Sequence, residues 1–388
     1  MQVKAKTKRY HFIDWLRALA VLFVFLMHSA RFFAPVSAPI HNAQTSPVAL
    51  GFFVFVHLWI MPLFFFLAGA TLKIATENRS TVELIRQRVK RLVIPFLFGV
   101  IFLAPLQSYL TKLHEGAYRY SFLAFYVHSL TSLPLMRNPR ILGALGHHLW
   151  FLAYLFIFSV LALPVFGLLR TARGQRLIQS VGATGARPGG IFLPTLPLIA
   201  IHILIRVARP AYLDWADFAY WFIVFMYGSM IVFDPQILQA ISRQRMVALF
   251  VGCCCFTAML TLNITGKAVF MHWLTAPIYS VTDVLLLFLW GLNTWSWVLF
   301  FTGIAIQYFD HSTHTLSYAN EAVLPIYILH QTVLFAIGFY VVQLDLGILA
   351  KFLMLSTTAM VTTLAAYEGC VRRVNVLRLL FGMRGRQR

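Results

Sequence analysis

The chain has 388 residues, of which 60% are hydrophobic and 11% charged, with a mean hydropathy of +0.77. A typical soluble domain has about 25% charged residues, so water is not the principal solvent of this one and no sizeable soluble domain fits beside its apolar runs. The formal net charge of +20 sits in short segments between those runs, where membrane proteins keep basic residues, which argues against a nucleic-acid partner.

A hydrocarbon core about 30 Å thick needs roughly 20 apolar residues per helix. Predominantly apolar runs predict ten helices, over residues 12–34, 48–72, 92–111, 148–169, 190–207, 217–234, 246–264, 278–303, 320–343 and 347–370. The first run carries Asp14 and Arg17 and lacks a small-residue cleavage site, so it reads as a retained span, not a signal peptide. The linker from Thr171 to Gly190, rich in glycine, predicts a flexible inner loop dividing the spans four and six. The fifth span, broken by Pro194, Pro197 and Arg206, and the short seventh are the least regular. Cys253, Cys254 and Cys255 fall inside an apolar run and act there as small apolar side chains, with no CxxC site. No internal repeat is visible.

With the N-terminus inside, 22 of the 32 lysines and arginines fall in inner segments and 9 in outer ones. The positive-inside bias then puts both termini in the cytoplasm. The expected fold is an all-α, polytopic transmembrane helical bundle of about ten spans. It forms a single membrane domain over 1–388, with a basic cytoplasmic N-terminus at 1–11 and a basic cytoplasmic tail at 371–388.

Ionisable groups within spans cost several kcal/mol unless they face a cavity or a partner, so each is a functional candidate. In the first span Arg17 and His28 are 11 residues apart, almost three turns, which puts them near one face and roughly 16 Å apart along the axis. The alternative for Arg17 is an interfacial anchor paired with Asp14. Arg86, Arg88, Lys90 and Arg91 gather before the third span. They serve either as a positive-inside anchor or as a cradle for the phosphates of a cytosolic cofactor, because guanidinium forks match phosphate oxygens.

His147 and His148 open the fourth span beside Trp150, a residue of the ordinary aromatic belt. In the ninth, Glu321 lies near the inner end, His330 and Gln331 lie deeper, and Pro325 marks irregular packing around a cavity. Asp283 in the eighth span is the other buried carboxylate, as a functional group or as half of an ion pair. His311 and His314 have the spacing of two ligands, but no acidic or cysteine partner completes a site, so no metal is expected.

In this order the pieces resemble the acyltransferase-3 family of membrane acyltransferases, over nearly the whole chain. The family's Arg-x10-His pattern corresponds to Arg17 and His28, and its FFxLSG stretch resembles Phe65, Phe66, Leu67, Ala68 and Gly69, with Ala68 where the serine usually stands. Its RxR signature is matched by Arg86 and Arg88, followed by Arg91, Leu92 and Pro95. The segments His148 to Leu152 and Tyr327 to Gln331 resemble the branch that includes glucans biosynthesis protein C.

The resemblance implies a multi-pass O-acyltransferase of a bacterial inner membrane. Its donor would be a cytoplasmic acyl-CoA, acetyl-CoA or succinyl-CoA, and its acceptor a hydroxyl of an extracytoplasmic glycan or other carbohydrate, with membrane lipids around it. In that reading Arg86, Arg88 and Arg91 hold the CoA phosphates, Arg17 orients the donor and His28 is the general base. His330 or His148 would carry the acyl group if the reaction runs through an acyl-histidine, and Asp283 or Glu321 would orient an imidazole. The competing class is a transporter or flippase moving a polar solute past the same residues without cleaving a thioester. Oligomeric state and the identity of the acyl group are not legible.

Overall fold

The computed structural model describes residues 9–131, 140–206, 213–264 and 280–385, with the side chains of 263 and 264 left aside. Thirteen helices account for nearly all of them, and there is no strand among the described residues. In chain order they are α1 (His11–Arg31), α2 (Pro47–Ala75), α3 (Thr81–His114), α4 (Phe122–Thr131), α5 (Arg140–Leu169), α6 (Ala172–Ala186), α7 (Gly190–Arg206), α8 (Trp215–Phe233), α9 (Pro235–Ile264), α10 (Val281–Tyr308), α11 (His314–Val341), α12 (Ile348–Val371) and α13 (Asn375–Leu380).

Nine of these, α1, α2, α3, α5, α8, α9, α10, α11 and α12, are long and apolar enough to cross a membrane. The chain is a multi-pass, all-α integral membrane protein. Outward-facing side chains such as Leu168, Phe250 and Val361 are more than half exposed, as lipid-facing positions are.

Three expectations change. The third span starts at Thr81, not residue 92, so Arg86, Arg88, Lys90 and Arg91 lie on its first turns and not in a loop. Two π turns, Val89–Val93 and Gly99–Leu103, interrupt it around Pro95, where the missing N–H forces the ladder to adjust. The glycine-rich linker is largely the helix α6, whose start Thr171 caps by accepting the Gly174 N–H at 3.2 Å. Its Gly182 permits close packing, since a Cβ there would stand 2.1 Å from Asp234 Oδ2.

Where a fifth span is expected the structure has α7, about 25 Å long at 1.5 Å per residue and shorter than the nine helices long enough to cross. It is assembled from a 3₁₀ turn at Gly190–Phe192, a helix at Thr195–Ile201 and a π turn at His202–Arg206. Residue 207 lies outside the described segments. Arg206, fully buried, pairs with Asp217 of α8 and donates through Nε to His202 Nδ1 at 3.1 Å. The seventh span, expected to be short, is the full-length α9.

The contacts divide the chain into two compact units, one of Met1–Arg17, Leu58–Arg86 and Ile157–Leu316, the other of Ala18–His57, Gln87–Phe156 and Ser317–Arg388. Lipid tails are as apolar as leucine, so helices in a bilayer are held by close packing and interhelical hydrogen bonds more than by the hydrophobic effect.

In the first unit α9 and α10 pack side by side, and α2 meets α8 backbone to backbone. A Cβ at Gly69 would lie 1.8 Å from the Phe225 carbonyl oxygen, and one at Gly228 would lie 1.8 Å from that of Phe66. That contact gives the Phe65–Gly69 motif its physical reason. In the second unit Phe25, Phe32, Phe33, Ile40, Leu110, Leu334, Phe335 and Leu355 form one buried core.

Candidate active site

Three imidazoles meet in the second unit. The His330 ring centroid lies 5.5 Å from that of His28 and 5.0 Å from that of His148. Each comes from a different helix: His28 from the last turns of α1, His330 from the middle of α11, and His148 from a 3₁₀ turn, His147–Leu149, inside α5. At the start of that turn His147 takes a left-handed φ of 48°, an uncommon conformation for a side chain of its size. Its ring is tied to Ser108 Oγ at 2.8 Å.

The hydrogen bonds fix the tautomers. His148 Nε2 lies 3.1 Å from the Tyr327 carbonyl oxygen and 3.3 Å from that of Ile328, and His330 Nδ1 lies 2.7 Å from the same Tyr327 oxygen. Carbonyls only accept, so these nitrogens carry the protons. His148 Nδ1 and His330 Nε2 are then bare lone pairs, and both are buried without a hydrogen-bond partner among the described residues. Tyr327 also donates its hydroxyl to the His148 carbonyl oxygen. The orientation that sequence reasoning sought from Asp283 or Glu321 is supplied here by backbone carbonyls of α11.

Those carboxylates have other contacts. Asp283 closes a capping box at the start of α10, accepting the Ser280 N–H at 3.3 Å while Ser280 Oγ accepts the Asp283 N–H at 3.1 Å. Glu321 accepts from Arg378 at 3.0 Å and lies 3.6 Å from Arg372.

Beside His28 is a small cavity of about 10 Å³, walled by Arg31, Gln331 and the Ala38–Pro39–Ile40 segment among others. That is room for about one water. Among the described residues Gln331 Oε1 is buried there without a hydrogen bond, and no acidic side chain lines the space.

Arg17 lies in the first unit, in a cleft of about 380 Å³ lined by Arg9, Tyr10, Ile13, Asp14, Arg17, Thr71 and Ile74. Its Nη2 donates to Thr71 Oγ1 at 2.9 Å, and its Nη1 is 3.6 Å from Asp14 Oδ1, so the expected pair with Asp14 is present. Arg9 binds the same carboxylate at 2.9 Å. Two guanidiniums against one carboxylate leave the cleft net positive, as an anionic ligand requires. Thr71 escaped sequence reasoning although it stands two residues beyond the Phe65–Gly69 motif.

On α3, Arg86 and Arg88 lie in the α-helical start Thr81–Arg88, and Lys90 and Arg91 in the π turn Val89–Val93. Arg86 and Arg91 are exposed and Arg88 is partly buried. The basic tail packs near Arg91: Phe381 meets Phe98 at 5.2 Å, and a Cβ on Gly382 would stand 2.7 Å from the Arg91 carbonyl oxygen. Among the described residues no group of three or more His, Cys, Asp or Glu is placed to hold a metal ion.

A many-helix membrane bundle with buried, oriented imidazoles defines an integral membrane protein equipped for acid–base or nucleophilic chemistry. The chain belongs to the acyltransferase-3 family, whose acyltransferase domain matches residues 10–367. It is therefore a membrane acyltransferase, transferring groups other than aminoacyl groups. No curated protein and no solved structure matches it.

Proposed function

We propose that the protein transfers an acyl group from a cytoplasmic acyl-CoA to a hydroxyl of an extracytoplasmic carbohydrate, across a bacterial inner membrane. Both termini lie in the cytoplasm, in keeping with the distribution of lysine and arginine. The whole chain acts as one acyltransferase domain, and the family match from residue 10 to 367 runs through both compact units.

The observation that carries this reading is the pair of bare imidazole nitrogens, His148 Nδ1 and His330 Nε2, buried beside His28 with no donor among the described residues to satisfy them. Buried acceptors without partners are costly. A carbohydrate, with several hydroxyls on adjacent carbons, supplies the missing donors.

In the reaction His28 removes the proton of the attacking hydroxyl as its oxygen forms a bond to the thioester carbon. The C–S bond breaks, and the thiolate leaves to be protonated as free CoA. His28 suits the task because neutral imidazole is the side chain best matched to proton transfer near pH 7. Arg86, Arg88 and Arg91 hold the donor's phosphates, and Arg17, in its positively charged cleft, orients the donor. One uninterrupted helix, α1, carries both Arg17 and His28. The acyl group is acetyl or succinyl, and Asp283 serves the first unit as a helix cap.

The test uses purified protein in lipid vesicles with acyl-CoA labelled in the acyl group and a neutral oligosaccharide outside. Free CoA and a labelled sugar ester should appear in equal amounts. Movement of the sugar with no thioester cleavage would instead make the protein a transporter.

A further inference from the structure

Lys351, in the first turn of α12, is 7% exposed, and its Nζ donates to Asn42 Oδ1 at 2.8 Å and to the Val342 carbonyl oxygen at 3.1 Å. Both acceptors are neutral, and no carboxylate lies within ion-pair distance of it among the described residues. An ammonium buried with neutral oxygens alone is an unfavourable arrangement, and an apolar side chain of similar length would fill the place without the desolvation. Packing alone does not account for the lysine.

Its partner holds the α1–α2 connection together. Asn42, 2% exposed, donates its N–H to the Phe32 carbonyl oxygen at 2.8 Å and its side-chain amide to that of Gln44 at 2.8 Å, while the Ser46 N–H reaches the Phe33 oxygen at 2.7 Å. The two ends of the loop therefore meet, and Ala38, Pro39 and Ile40 at its crown wall the cavity beside His28 and Gln331. That cavity, of about 10 Å³, holds about one water and no sugar. His28 is itself only partly buried, and seating a sugar beside it in place of one water requires the loop to move outward.

We propose that Lys351 is a positioning residue: through Asn42 it latches the 32–46 loop over the His28 cavity, so that water is kept from the acyl group while the acceptor is held. The latch rests on the reading of His28 as the base, and it acts through the loop, not on the reacting atoms. Closing such a cover favours transfer over hydrolysis.

The experiment compares full-length wild type, Lys351→Met and Lys351→Arg in vesicles. Acyl-CoA and a neutral oligosaccharide are the substrates. In Lys351→Met the KM for the acceptor should rise and the ratio of hydrolysis to transfer should grow about tenfold, the scale of one charge-assisted hydrogen bond. The KM for acyl-CoA should stay unchanged, and Lys351→Arg should restore most of the acceptor affinity. An unaltered hydrolysis ratio, or an equal loss toward donor and acceptor, overturns the latch.

Hydrogen exchange of the amides of residues 36–46 is the readout independent of turnover. It should quicken in Lys351→Met and stay near the wild-type rate in Lys351→Arg; equal rates in wild type and Lys351→Met also overturn the proposal. A wild type that cleaves no acyl-CoA refutes the acyltransfer reading, while the exchange rates still decide the latch.

Discussion

His148 and His330 both donate to one oxygen, the Tyr327 carbonyl, at 3.1 and 2.7 Å. A single backbone atom thereby sets the tautomers of two imidazoles and turns their free nitrogens away from itself. A side-chain carboxylate would have brought a charge into the bilayer at considerable cost. A carbonyl orients without one.

This arrangement makes Tyr327 sensitive in a particular way. Tyr327→Phe keeps the carbonyl but loses the hydroxyl bond to the His148 backbone. Transfer should fall by about tenfold, with a stability loss of about 1 kcal/mol, the net value of one hydrogen bond. Initial rates and thermal unfolding in detergent check both.

Glutamine at position 330 offers a donor and an acceptor but no titratable nitrogen. His330→Gln should keep the fold and lower transfer about 100-fold, within the range for a lost proton-transfer group. Mass spectrometry of protein quenched during turnover tests the acyl-histidine route at the same site: an acylated wild type that disappears in His330→Gln would assign His330 as the carrier.

Thr71 accepts the Arg17 guanidinium at 2.9 Å. Thr71→Val preserves shape and removes the acceptor, so the KM for acyl-CoA should rise several-fold with kcat nearly unchanged, and Thr71→Ser should recover it. Arg17→Lys should do worse than Thr71→Val, because an ammonium cannot reproduce the guanidinium fork. Steady-state kinetics against acyl-CoA at saturating acceptor separate these outcomes.

Gly69 and Gly228 allow α2 and α8 to touch through their backbones. Alanine at either position meets a carbonyl oxygen that cannot move aside like a side chain. Each substitution should cost about 1–3 kcal/mol, the range for overpacking, and lower the yield of monodisperse protein, which size-exclusion chromatography measures.

Much of this is legible in the chain alone. Hydropathy marks the long helices, because twenty apolar residues are visible in any window of sequence, and the Arg17–His28 spacing on α1 marks both residues. His148 and His330 stand out as ionisable groups in apolar runs, although nothing in the chain says that they meet.

What escaped was backbone chemistry and local geometry. The availability of the Tyr327 carbonyl depends on how α5 turns at His147, not on residue type. The helix α6 is hidden by glycines that count against helix in a local reading, although Gly182 is what lets it pack against Asp234. The start of α3 was displaced because its first turns are charged and fall below any hydropathy threshold. Thr71 and Lys351 escaped because one is an ordinary polar residue near a helix end and the other looks like an interfacial anchor.

The most direct measurement of the central claim is single-turnover transfer by His28→Ala in vesicles. Acyl-CoA binding is followed in parallel by equilibrium titration. We expect donor binding within a factor of two of wild type, and transfer to the sugar lower by about 10²–10⁴, the contribution of a positioned general base. Transfer at the wild-type rate in that variant would contradict the assignment of His28 and with it the mechanism.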